Sequence, residues 1–136
     1  AFQEARALFK GLKEVIHVAR CDQNIAHCLT EKGDAEGALR AAQKALDVFE
    51  TAHDHRRENF ALFELAKAHV LNDQLDEGLQ EMEKVLDIVA ESEPKDFEFI
   101  MEIEKEIASV LRRIGRDAEA DEIDRRLESI ADVIDE

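Results

Sequence analysis

The residues with the most chemical potential fall in three places, and each suits a different chemistry. His53-Asp54-His55 is the densest spot and would suit a metal pair, although a histidine-rich turn is more often exposed and unliganded. Cys21 and Cys28 are the only cysteines. They sit seven residues apart, so on a helix they share a face about 10 Å apart along the axis, too far for a disulfide. Zinc would want closer spacing and more ligands than His17 and His27 add. Both cysteines are therefore expected as reduced, buried, small hydrophobes, which fits a cytoplasmic protein. Glu102, Glu104 and Glu106 alternate around a helix and cannot all face one ligand, so their expected role is solvation. His27 and His69 are expected to be partly buried or groove-facing. The sequence has no phosphate-cradling glycine loop, nucleophile elbow or converging acid–base pair. It therefore implies no enzyme, no metal and no cofactor.

The elements that must carry these residues are helices. The chain has 136 residues, which fits one domain with a real core, and it contains one Pro, five Gly and no Trp or Tyr. It is dense in Ala, Leu, Glu, Asp, Lys and Arg, which lose little on entering a helix. No apolar run is long enough to span a bilayer, and no signal peptide is apparent. The chain begins at Ala1, which implies a fragment of a larger protein. The net charge is −15, with nine basic and ten acidic side chains in residues 1–58 against nine and 23 in residues 59–136. Such a field repels phosphate, which argues against direct nucleic-acid or anionic-membrane binding. It serves solubility or, on a sharper reading, a basic partner.

Self-similarity organises the helices. Three segments align, starting at Ile25, Leu65 and Ile107, with offsets of 40 and 42 residues. Each opens with an aliphatic–Ala pair (Ile25-Ala26, Leu65-Ala66, Ile107-Ala108). Seven residues later comes a turn position, Gly33, Asp73 or Gly115, and five beyond that a small residue, Ala38, Gly78 or Ala120. Gly or Asp tolerates the left-handed backbone at a helix end, and small residues let two helices approach. Stripes at 4-3-4-3 spacing agree: Leu75, Leu79, Met82, Leu86 and Val89; Ala38, Ala42, Ala45 and Phe49; Ile123, Leu127, Ile130 and Ile134. The first helices of each pair, such as the one holding Ile100, Ile103, Ile107, Val110, Leu111 and Ile114, are apolar over a wider arc, as helices packed on two sides would be.

With its small residues, its Gly33-Asp34 turn and its Ala45-Leu46 pair, the pattern resembles the tetratricopeptide repeat family over residues 13–136. The second copy departs from that pattern at Asp73 and Gly78, and the third at Leu127-Glu128. The longer repeat is similar in length to the variants in kinesin light chains and bacterial peptide-sensing regulators. The resemblance implies an all-α fold of α-hairpin repeats stacked as a right-handed superhelix, with repeats at 13–52, 54–92 and 94–135 in a single domain. Turns are expected at His53-Asp54-His55, with Asp54 as a cap, and at Ser92-Glu93-Pro94, with Pro94 at a first helical position. Residues 1–11, with Phe2, Ala5, Leu8 and Phe9 apolar, read as the last helix of a preceding pair stopped at Gly11. The competing reading is one helix over 2–32.

In such a stack the first helices line a concave groove. Projecting their inner faces gives Arg20, Gln23, His27, Thr30 and Glu31, then Phe60, Phe63, Lys67, Val70 and Leu71, then Glu102, Lys105, Ser109, Arg112 and Arg113. Phe60 and Phe63 would be anchors, unless they bury against a neighbouring helix. The basic residues would then meet an acidic group on a protein or peptide partner. The family's carboxylate clamp for chaperone tails is not reproduced, since no Asn lies on this face. The leading expectation is a peptide-binding scaffold. The alternative is a structural array that self-associates, as a homodimer, through its apolar face.

Overall fold

The computed structural model describes the backbone of residues 2–135 and the side chains of residues 3–133. The expected stripe positions of the Phe2 and Ile134 side chains lie outside the described residues. Six helices follow in order: α1 (Phe2–Lys32), α2 (Ala35–Thr51), α3 (His55–Leu71), α4 (Leu75–Glu91), α5 (Phe97–Arg113) and α6 (Asp117–Asp135). No strand occurs among the described residues. The fold is all-α, as the composition requires.

Four of the five links between helices use one device. At α1–α2 the amide of Asp34 donates to the carbonyl of Leu29 and that of Gly33 to Thr30. The same pair of bonds recurs from Asp54 and His53, from Gln74 and Asp73, and from Arg116 and Gly115. In each link the residue past the helix end has positive φ: Gly33 (85°), His53 (56°), Asp73 (62°) and Gly115 (85°). This double bond satisfies the last orphan carbonyls and turns the chain back in two or three residues. Asp34 and Asp54 then cap α2 and α3 by accepting from the amides of Gly37 and Arg57.

The α4–α5 link differs. It runs through Ser92–Lys95, with a cis Glu93–Pro94 peptide, and Asp96 caps α5 by accepting from the Phe99 amide at 3.1 Å. Pro94 is therefore not the first helical residue: the carboxylate two positions on supplies an acceptor that Pro94 lacks, and α5 starts there.

The expected stop at Gly11 does not occur either, and α1 is one helix of 31 residues. Gly11 has no positive φ, and nothing lies within 4 Å of where a Cβ would stand. The stripe Ala5, Leu8, Leu12, Ile16, Ala19 keeps helical spacing straight through residue 11, so the helix continues. At 1.5 Å per residue α1 spans about 46 Å against about 26 Å for α2. Its first turns therefore stand clear, with Leu8 and Phe9 exposed.

Each helix packs on the next in the chain. In addition α1 touches α3 and α3 touches α5, whereas α2, α4 and α6 do not touch one another among the described residues. The odd helices thus form a row. Two apolar clusters result, one of Ala19, Ala26, Ala42, Ala45 and Phe49 with Leu65, and one running from Phe63 and Met82 to Ile123 and Leu127. Leu62 packs against both. The small residues meet the crossings: Ala38, Ala45 and Ala120 are fully buried, and a Cβ on Gly78 would lie 2.9 Å from the carbonyl oxygen of Ala66.

Two polar expectations need correction. Cys21 and Cys28 are free and exposed, not buried. Ala19 and Ala26 face α2, and each cysteine follows one of them by two residues, about 200° around the helix. Glu104 is buried between α5 and α6, with Arg126 Nη1 3.5 Å from its Oε1. The hydrophobic face of α5 is wide enough to include it.

Candidate binding site

The centre of the odd-helix row holds a mixed cluster. Lys67 Nζ donates to Glu64 Oε1 at 2.9 Å and lies 4.7 Å from the centre of the Phe63 ring. His27 Nδ1 approaches the same carboxylate oxygen at 3.4 Å, and the other oxygen, Oε2, is buried without a hydrogen-bond partner. Desolvation pushes the Glu106 carboxyl above its ordinary range. Lys67 opposes this shift, and Glu102, Glu64 and Glu31 add to it. Four carboxylates therefore face one lysine and one histidine, so the row's centre is acidic where a mixed groove with an apolar middle was expected.

Several expected groove residues are committed to the fold. Phe63 is only 2% exposed, because α5 packs over it and Phe99 meets it edge-on at 5.6 Å. It is a core residue, not an anchor for a partner. Arg112 donates to Asp121 at 2.9 Å and to Asp124, both on α6, so it spans a hairpin. Arg113 donates to Asp73 in the α3–α4 link at 3.1 Å. His69 is bonded to Glu81 of α4, and desolvation outweighs that bond to leave the Glu81 carboxyl raised. Among the described residues, Arg20 and Lys105 are the expected groove cations that no carboxylate holds within 4.0 Å.

What remains open lies at one end of the row, around Phe60. This ring is half-buried and stacks at a tilt on Phe99, 4.5 Å between centres, with the Arg56 guanidinium 5.8 Å from its own centre. On one side it borders a cleft of about 680 Å³ between the start of α3, the end of α4 and the α4–α5 link. Its apolar wall is Phe60, Ile88, Val89, Pro94, Phe97 and Phe99. Phe97 is 63% exposed and Ile88 43%, an uncommon cost for side chains that gain by leaving water. The irregular link makes this opening, since the doubly hydrogen-bonded turns elsewhere reverse the chain within two or three residues.

On its other side Phe60 borders a second cavity, of about 420 Å³, between α1 and α3, lined by Arg20, Gln23, Asn24, Arg56 and Arg57. Arg20 and Gln23 were expected on this face, while Asn24, Arg56 and Arg57 were not. The sequence signal was available: Arg56 precedes Phe60 by one helical turn and shares its face. The histidines beside it stay at the surface, their rings 6.3 Å apart, with His55 Nδ1 3.2 Å from Glu58 Oε2. No protein-family model matches the chain, and no curated protein sequence matches it.

Proposed function

We propose that the chain is a non-catalytic, protein-binding scaffold of tetratricopeptide-like helix pairs, and that it takes a peptide segment carrying a large apolar side chain in the cleft beside Phe60. The observation that carries this reading is the 680 Å³ cleft, where Phe97 and Ile88 stay open to water beside half-buried Phe60. Clefts of this size with an apolar wall are a usual form of ligand site. The rim carries both signs, with His55, Arg56 and Lys95 beside Glu93, Asp96 and Glu98. The row of odd helices and the recurring turns support the tetratricopeptide-like arrangement. The anchor pair differs from the projected one, with Phe97 taking the place of buried Phe63.

The test is selection of binders from a displayed library of random peptides, followed by affinity measurement on variants. Enriched peptides should carry an aromatic or large aliphatic residue. They should lose tenfold or more against Phe97→Ser combined with Ile88→Ser, and nothing against Ile130→Ser on α6. Peptides insensitive to the first pair would refute the site.

A second reading, self-association, is favoured by the free turns of α1, where Leu8, Phe9, Leu12 and Val15 are exposed. Uncovered apolar faces of that kind mark interfaces. Sedimentation over a range of concentrations decides it: a dimer abolished by Leu8→Glu with Leu12→Glu would support self-association, and a monomer throughout would exclude it.

A further inference from the structure

We infer that the cavity between α1 and α3 is a subsite for one anionic group of the bound peptide, a carboxylate or a phosphoryl group, held by Arg20 and Arg56 with Gln23 and Asn24 as neutral donors. The inference rests on the binding reading above and specifies its ligand. Three arginines and two amides line this cavity, and no carboxylate does. The carboxylates nearest in sequence are engaged or point elsewhere. Asp54 holds Arg57, accepting from its Nη1 at 2.6 Å, and Glu58 pairs with His55. Asp22 lines a different hollow, between α1 and α2, with Arg40 and Lys44. Among the described residues Arg20 and Arg56 thus have no ion-pair partner, although acidic side chains outnumber basic ones by 33 to 18.

Guanidinium is the group suited to such a ligand: it is planar, always charged, and its paired N–H donors match carboxylate and phosphate oxygens. Phe60 is the shared wall of this cavity and the apolar cleft, so a ligand filling both places an anion next to an apolar side chain. Arg57 holds the α3 cap through Asp54 and serves as a background charge. Arg20 and Arg56 are both exposed, so replacing them leaves the core intact.

The experiment is nuclear magnetic resonance titration with three blocked dipeptides, aspartyl-phenylalanine, phosphoseryl-phenylalanine and asparaginyl-phenylalanine. The readouts are the arginine Nε–H, the Gln23 and Asn24 amides, and the Phe97 and Phe99 rings. Hydrogen bonds to charged groups imply that the two anionic probes bind about tenfold more tightly than the neutral one. That advantage should vanish in Arg20→Gln with Arg56→Gln and persist in Arg40→Gln with Lys44→Gln. The tighter of the two anionic probes identifies the source of the anion. Equal affinity of all three probes, or an advantage that survives in Arg20→Gln with Arg56→Gln, overturns the inference. If the neutral probe still shifts Phe97 and Phe99 in that case, the apolar cleft stands and only the anion subsite falls. Arginine shifts without any at Phe97 or Phe99 would instead keep the anion subsite and refute the cleft.

Discussion

Replacing glycine by alanine inside a helix ordinarily stabilises by up to about 1 kcal/mol, because alanine has less backbone freedom to lose. Gly78→Ala should do the opposite. Its new methyl would stand 2.5 Å from Val70 Cγ2 and 2.9 Å from the carbonyl oxygen of Ala66, both on α3. Val70 can turn away, but the Ala66 oxygen belongs to a helix backbone, so α4 must shift as a body. Overpacking of this kind costs roughly 1–3 kcal/mol. Set against the propensity gain, a net loss of about 1 kcal/mol remains. For a chain of this size that corresponds to a fall of about 4 °C in Tm. Gly11→Ala is the matched control, since nothing lies within 4 Å of its Cβ position and its φ is not positive. It should stabilise by up to about 1 kcal/mol. Thermal and urea unfolding followed by circular dichroism would measure both. If Gly78→Ala stabilises as Gly11→Ala does, then α3 and α4 do not cross at Gly78.

Phe49→Ala should cost about 3–5 kcal/mol in urea unfolding, because its fully buried ring anchors the first cluster. Asp96→Ala should lower stability by about 1 kcal/mol in urea unfolding, since the Phe99 amide loses its acceptor. Glu106→Gln should stabilise at pH 7 and have little effect at pH 4. The folded protein raises the Glu106 pKa and so binds its proton more tightly than the unfolded chain. Stability from this group is therefore present at low pH and falls as pH rises through the unfolded and then the folded pKa. A stability difference between Glu106→Gln and the parent that is independent of pH would refute that account.

The helices were legible because helical spacing and turn chemistry are local. Gly33, Asp73 and Gly115 sit where the backbone becomes left-handed, and Asp54 caps as its type suggests. Gly11 misled because a glycine that merely tolerates a turn looks the same in sequence as one that makes it. The site was half legible. Arg20, Gln23 and Phe60 fall on the open face, but the fates of Phe63, Lys67, Arg112 and Arg113 depend on which neighbour packs over them. Phe63 disappears under Phe99, and Asp121 and Asp124 occupy Arg112. The cleft itself arises from one link that breaks the common pattern, and no helical projection contains it.

Leu62 packs against both apolar clusters, and contacts elsewhere join helices adjacent or next-but-one in the chain. A fold wired in this way has few long loops to close, so its assembly can begin at several helix pairs and spread outward, with a low barrier. Helix α3 belongs to both interiors, Ala61 and Leu65 entering the first cluster and Phe63 and Ala66 the second. The cavities beside Phe60 both border α3, so a ligand spanning them would rest on the one helix that both clusters share.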